Sequence, residues 1–412
     1  MPARLRTRVG RVDGTLLAIL SGRDRPGVTA ALFDALRHTP STVLDIEQLV
    51  VRGRLILAVL LGVSAQDVGG VRALVHEVAA QVGMEVETVP GAREHVPTAR
   101  ERIHITVMGS PIAPGAVADL AREVAERGWN IDRIRRVAAY PVTAVVFEGS
   151  GDDIADLKRA LSERSRALGV DVAVQHAGLN RRGQRLVVMD VDSTVIQDEV
   201  IDLLAAAAGR GDEVAAITEQ AMRGELDFAE SLTRRVATLT GLPATTLEQV
   251  ASEVRLTPGA RTLCRTLRRL GFHVCLVSGG FEEIVGPIAQ ELDVDRVRAN
   301  HLEIVDGVLT GRVVGPIIDR LGKKRALEEF AEEFGLPLDR TIAIGDGAND
   351  IDMLDAAGLG VAFNAKPAVR AAADTAVNVP YLDSVLYLLG ITRDEVEEAD
   401  AADGLARRPT VR

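Results

Sequence analysis

Cysteine is almost missing from this chain: Cys264 and Cys275 are the only two in 412 residues. They fall in a helix-like and a strand-like stretch of one region, so neither a disulfide framework nor a cysteine-based metal centre is available, and both read as buried thiols. Positive charge is also in short supply. Lys and Arg total 48 against 59 Asp and Glu, a net charge of -11, which opposes binding to nucleic acid or to an anionic membrane surface, since both need clustered cations. Long apolar runs are missing too. The longest, such as 55–61, are far short of the ~20 residues that a membrane-spanning helix needs. Residues 1–9 carry Arg4, Arg6 and Arg8 with no apolar run behind them, so no secretory signal is expected and the chain should remain in the cytoplasm. What is present, 47% hydrophobic and 26% charged residues, suits packed cores in two to four domains, with small molecules or protein as partners.

Periodicity divides the chain into three domains. Residues 15–21 form a β-rich run, 28–37 a helical pattern, 43–51 and 55–63 two more β runs, 68–82 a helix and 85–89 a last strand, which is the order βαββαβ. The order recurs from residue 103: strand to 108, helix to 127, strands on either side of Tyr140-Pro141, helix from 152, strand 170–175. We set these modules at 1–92 and 101–178, with 90–100 as linker. A different pattern occupies 184–392. Three short apolar strands, 185–191, 274–277 and 341–344, each end in a polar loop followed by helical periodicity, as neighbouring strands of a parallel sheet do. Residues 199–255, rich in Ala, Leu, Glu and Arg and without strand signals, read as an inserted helical cap. Residues 393–412 are expected to be a flexible tail. The fold class is therefore α/β.

In doubly wound sheets ligands sit at the carboxyl ends of the strands. The first strand ends Asp190-Val191-Asp192-Ser193-Thr194, placing two carboxylates on one side of an extended strand exit. A carboxylate can attack phosphorus, and a second can protonate the leaving alkoxide and later deprotonate water. Asp190 is assigned as nucleophile and Asp192 as acid and base. Two anions facing a phosphate need a cation between them, and Mg²⁺ favours such oxygen ligands. Asp346, in Gly345-Asp346-Gly347-Ala348-Asn349-Asp350, completes a metal set of Asp190, Asp192 and Asp346; Asp350 orients that shell and Asn349 donates to substrate or phosphate. The second strand ends Ser278-Gly279-Gly280, which exposes backbone N–H groups and a hydroxyl to phosphate oxygens. Lys323 supplies a fixed positive charge to the phosphoryl group, with Lys324 as a rival.

These residues resemble the haloacid dehalogenase superfamily, whose motifs run Asp-x-Asp-x-Thr, Ser or Thr, Lys, then an acidic Gly-Asp turn. More narrowly, 188–194, Glu199, 221–232 and Arg235-Val236 resemble the phosphoserine phosphatase family. The resemblance implies a Rossmann-like sheet with a helical cap and an O-phospho-L-serine substrate. It implies that Glu199 pairs with the substrate ammonium, that Arg235 pairs with its carboxylate, and that Met222 and Phe228 line the cap side of the pocket. Three charged groups on a substrate call for an anion and a forked cation, which suits Glu199 and Arg235, with Arg234 as a substitute. Two rival readings stand beside this one: a phosphatase of other small phosphates or phosphoproteins, and an amino-acid-sensing regulator. The two leading modules resemble ACT domains, of ferredoxin-like fold. That implies an amino-acid effector such as serine near Asp24 and Gly27 of the loop 22–27, and paired modules favour a homodimer. The second module carries Gly109-Ser110-Pro111-Ile112-Ala113-Pro114-Gly115 in place of that loop, which leaves its ligand binding open.

Overall fold

A computed structural model of the chain describes residues 14–92, 100–178, 183 and 185–405, with the side chain of Met222 outside that description. It comprises two compact units, Met1–Ala99 and Arg100–Arg412.

The first unit runs β1 (Gly14–Arg23), α1 (Val28–Leu36), β2 (Ser41–Val51), β3 (Arg54–Val63), α2 (Val68–Gln81) and β4 (Glu85–Ala92). Its antiparallel sheet has the order β2-β3-β1-β4. Successive side chains on a strand face opposite ways, and here one set is apolar. Leu16, Ala18 and Leu20 of β1 and Leu55, Leu57, Val59 and Leu61 of β3 are buried with Leu32 of α1 and Val75 of α2.

The second unit opens with the same order: β5 (Glu101–Gly109), α3 (Pro114–Glu126), β6 (Asn130–Ala138), β7 (Thr143–Gly151), α4 (Ile154–Leu168) and β8 (Asp171–His176), in a sheet β6-β7-β5-β8. Then come β9 (Leu186–Asp190) and four helices, α5 (Val200–Ala207), α6 (Gly211–Met222), α7 (Phe228–Ala237) and α8 (Thr245–Glu253), where the cap was expected. The rest alternates: α9 (Ala260–Arg269), β10 (His273–Phe281), α10 (Glu282–Glu291), β11 (Arg296–Val305), β12 (Val308–Val314), α11 (Arg320–Glu333), β13 (Thr341–Gly345), α12 (Ile351–Ala356), β14 (Leu359–Phe363), α13 (Pro367–Ala372), β15 (Thr375–Val377), α14 (Val385–Leu388) and α15 (Arg393–Ala402).

These strands form one seven-stranded sheet in the order β12-β11-β10-β9-β13-β14-β15, with β12 antiparallel to its neighbour and the rest parallel. Central parallel strands are covered on both faces. Accordingly every residue of β9, β13 and β14 is buried. Because β9 sits between β10 and β13, the loops after these three strands open side by side at one end of the sheet, which is where the site lies.

The second module is tied to the large sheet. Lys158 Nζ of α4 lies 2.6 Å from Asp374 Oδ1, and the Asp171 carboxylate accepts from Asn378 N at 2.7 Å and Asn378 Nδ2 at 2.5 Å. Burial pushes the Asp171 carboxyl above its usual range even though those Asn378 bonds pull the other way. The expectation of a flexible tail from residue 393 needs correction, because α15 is a regular helix. Thr392 and Glu395 form a reciprocal cap at its start. Arg265 and Arg269 of α9 pair with Asp400, and Arg269 pairs also with Asp403. Residues 406–412 lie outside the described part of the chain.

Candidate active site

Asp190 ends β9 with only 3% of its surface exposed, and Lys323 of α11, 1% exposed, reaches it from the side. Lys323 Nζ lies 2.6 Å from Asp190 Oδ1 and 2.7 Å from Asp350 Oδ1. A buried ammonium would ordinarily lose its proton, but the two carboxylates outweigh that burial and hold Lys323 above its usual range. Lys324, the rival, is 41% exposed and faces Glu328 at 3.9 Å.

The turn after β9 is bent by Ser193, which stands at φ 57°. The turn sends the Asp192 carboxylate toward the start of α5, where Oδ1 accepts from Val200 N at 2.8 Å. Ser278 Oγ donates to Asp192 Oδ2 at 3.1 Å and accepts from Gly280 N at 2.8 Å. Burial, then the charge of Glu199, raises the Asp192 carboxyl to about 6. It therefore keeps a proton at a pH where a free carboxyl would not, as a proton donor must.

The loop after β13 depends on close approach. A Cβ at Gly345 would lie 2.5 Å from Asp350 Cγ, so any side chain there would displace that carboxylate. Asp350 is fully buried and accepts from Gly347 N at 2.9 Å through Oδ2. Thr194 Oγ1 donates to Asp346 Oδ1 at 3.1 Å. Burial, with help from Asp350, raises the Asp346 carboxyl to about 6. Asp190 is pushed well above the usual carboxylate range by burial and by Asp350, against the pull of Lys323.

Asp190, Asp346 and Asp350 each offer a carboxylate oxygen, all within 4.8 Å of one another. Two buried acids and a half-buried one, with one ammonium among them, carry excess negative charge, and an oxygen-only donor set of this kind suits a hard divalent cation. The Asp192 carboxylate, expected among the ligands, lies outside this group and is held by Val200 and Ser278. Asp350, expected only to orient the shell, lies within it.

Above these groups is a cavity of about 550 Å³ bounded by the helical cap. Asp190, Asp192, Gly279, Lys323, Asp346 and Asn349 line its floor, while Glu199, Phe228 and Arg235 line its sides. Ser193 Oγ donates to Glu199 Oε1 at 2.7 Å. The Arg235 guanidinium makes no ion pair among the described residues, and its Nε reaches only Ser231 O at 3.4 Å. Burial lowers the Arg235 pKa, with Asp202 and Glu199 opposing. Arg234, its alternative, points outward and pairs with Glu230 at 2.6 Å. The Phe228 ring closes over the Ser278 loop, since a Cβ at Gly279 would stand 3.0 Å from Phe228 Cζ. The expected role of the Met222 side chain falls outside the described residues. In the first unit, Asp24 N donates to Gly53 O at 2.8 Å and Gly27 starts α1 at φ 94°.

Sequence reasoning passed over Asn300. It is 1% exposed on β11, donates through Nδ2 to Gly279 O and accepts from Ile318 N, each at 2.8 Å, so it fixes the Ser278 loop to the segment before α11. A single Asn in a strand carries no local signal of such a role. Lys366, also missed, lines the cavity next to the Asp346 loop and is exposed, with no ion pair among the described residues.

Residues 187–355 match the haloacid dehalogenase-like hydrolase model, and residues 14–89 and 103–175 each match an ACT domain model. A phosphoserine phosphatase of Streptomyces coelicolor is 57% identical over 397 residues, which is 96% of this chain and 97% of that protein. The chain belongs to the phosphoserine phosphatase family. A second member, from Mycobacterium tuberculosis, is 53% identical with the same shares covered. The unliganded structure of a probable phosphoserine phosphatase from Vibrio cholerae, 34% identical, covers 76% of this chain and 92% of its own at a TM-score of 0.57. One HAD-type hydrolase domain after two ACT domains gives this chain the α/β architecture described above.

Proposed function

We propose that the chain hydrolyses O-phospho-L-serine to L-serine and phosphate through a phosphorylated Asp190. One arrangement carries the reading: an anion, Glu199, and a forked cation, Arg235, with no ion pair among the described residues, share the wall of a cavity whose floor is Asp190, Asp192 and Lys323. The substrate ammonium meets Glu199 and its carboxylate meets Arg235, while the phosphoryl group lies over Asp190 and meets the Gly279 N–H, Lys323 and Asn349, with the Ser278 hydroxyl turning from Asp192 to join them. Phe228 covers the bound molecule from the cap side, which excludes bulk water.

In the first step an Asp190 oxygen attacks phosphorus, the bond from phosphorus to the serine oxygen breaks, and Asp192 gives its proton to that oxygen. In the second, Asp192 takes a proton from water, whose oxygen attacks phosphorus, and the bond to Asp190 breaks to release phosphate. Lys323 balances charge at the nucleophile throughout. Asp190, Asp346 and Asp350 would hold Mg²⁺, which would supply Lewis-acid stabilisation of the phosphoryl oxygens. The chain acts in the cytoplasm as a homodimer, and its first ACT domain takes an amino acid such as serine at the loop with Asp24 and Gly27.

Arg235→Ala tests the substrate assignment. It should raise KM for phosphoserine by roughly 100-fold, the order expected from losing a charge-assisted pair, and change turnover of a phosphate ester lacking a carboxylate by less than about threefold. Equal losses on both esters would show that Arg235 does not read the carboxylate. Turnover of phosphothreonine or phosphopeptides at the phosphoserine rate would instead favour a broader phosphatase.

A further inference from the structure

Between the second ACT domain and the phosphatase sheet lies an open cavity of about 490 Å³ that takes no part in the proposed reaction. Its charged lining consists of Lys158, Arg166 and Arg370 against Asp171 and Asp374, three cations to two carboxylates. Both carboxylates are engaged. Asp374 holds Lys158 at 2.6 Å, and both oxygens of Asp171 accept from Asn378. The two guanidiniums make no close ion pair among the described residues, although the Asp171 carboxylate acts on Arg370 from farther away. Arg370 Nη1 reaches Asn378 Oδ1 at 3.4 Å, and Arg166 Nε reaches Ser162 O at 3.4 Å. Two further polar atoms of the lining residues, Arg370 Nε and the Thr375 hydroxyl, are buried with no hydrogen-bond partner among the described residues, and Thr375 is only 5% exposed. Leaving buried donors unmatched costs stability, and a small rotation of Arg370 and Thr375 toward the cavity would bring them to a partner with acceptors.

We propose that this cavity binds a small oxyanion, a carboxylate or a phosphate, between Arg166 of the ACT domain and Arg370 and Thr375 of the phosphatase domain, and that α13 transmits its occupancy to the active site. Guanidinium forks match the paired oxygens of either group. The cavity has room for more than the ion alone, so the anionic head belongs to a metabolite-sized molecule. Helix α13 joins the two sites. Its six residues put Arg370 and Ala371 on the interface cavity, and the residue at its N-cap, Lys366, lines the active-site cavity. A ligand that draws Arg370 shifts the short helix and with it the Lys366 ammonium at the mouth through which an anionic substrate enters. This site is separate from the Asp24 and Gly27 loop, and its binding half does not depend on which phosphate ester the enzyme hydrolyses.

Arginine-selective modification by phenylglyoxal, resolved by peptide mass spectrometry on the full chain, tests the site. With inorganic phosphate or malonate at about ten times its Kd, modification of Arg166 and Arg370 should slow about tenfold, while Arg312 keeps its rate. Protection by phosphate alone identifies a phosphate head, and protection by malonate alone a carboxylate. If neither anion slows Arg166 or Arg370, the site is overturned. For the transmission, malonate should change KM for phosphoserine in the wild type and leave it unchanged in Arg370→Gln. Arg166→Gln, an exposed position on α4, serves the same comparison should Arg370→Gln fold poorly. Protection of both arginines with no change in wild-type KM would leave a site but overturn the coupling through α13.

Discussion

At the scale of the residue, the site depends on groups that burial has moved away from their ordinary behaviour. The same physics predicts inert thiols. Burial raises both Cys264 and Cys275 to about 12, with Asp295 adding to the effect at Cys275. A thiol reacts as its thiolate, so at pH 8 neither should react with a disulfide reagent in the native protein, and both should react once guanidinium unfolds it. Gly345 makes a sharper case. Gly345→Ala places a methyl group 2.5 Å from Asp350 Cγ, and relief requires the carboxylate to leave both Lys323 and Gly347. We expect a stability loss of about 1 to 3 kcal/mol by urea unfolding together with a fall in kcat of at least about tenfold. Of the residues in the site, those placed by the strand-end rule could be read in advance because each follows its own strand in the sequence. Asn300 could not, since its two partners lie 21 and 18 residues away and only the folded chain brings them together.

At the scale of the element, three loops after β9, β10 and β13 converge because their strands are neighbours in one parallel sheet. The three strands were legible as apolar runs ending in acids or glycines. β14 and β15 were not, being five and three residues long, with Gly360 interrupting the first. Nor was α15, whose docking depends on Arg265 and Arg269, more than a hundred residues upstream. The convergence of carboxylates has a measurable consequence in metal-free protein. Asp192 and Asp346 each stand at about 6 in the fold against 3.8 for the free group. A raised carboxylate pKa means that the native state binds more protons than the unfolded state, so stability falls as pH rises through the interval from 3.8 to about 6. In EDTA, Tm should therefore be higher at pH 4.5 than at pH 7.5 so far as these groups govern it. Adding Mg²⁺ should raise Tm at pH 7.5 by more than at pH 4.5, since ligands that bind the native state stabilise it and the carboxylates must be ionised to do so. An equal Mg²⁺ effect at both pH values would separate the metal from these acids.

At the scale of the molecule, two copies of one small fold precede a phosphatase domain, and the order of domains was readable from the repeat of βαββαβ and the change of period after residue 183. The contact of the second copy with the phosphatase sheet was not readable, because the buried Met108, Val142 and Val146 that share one core with the phosphatase domain, and the pairs Lys158 with Asp374 and Asp171 with Asn378, meet partners far away in the sequence that no local pattern marks. The whole account turns on Asp190 as the atom that receives the phosphoryl group. Rapid acid quench of the enzyme turning over phosphoserine labelled in the phosphoryl group, followed by peptide mapping, measures this directly. The account predicts label on the peptide bearing Asp190 and on no other, and neither label nor turnover in Asp190→Asn; label on a different residue, or turnover that survives in Asp190→Asn, would contradict it.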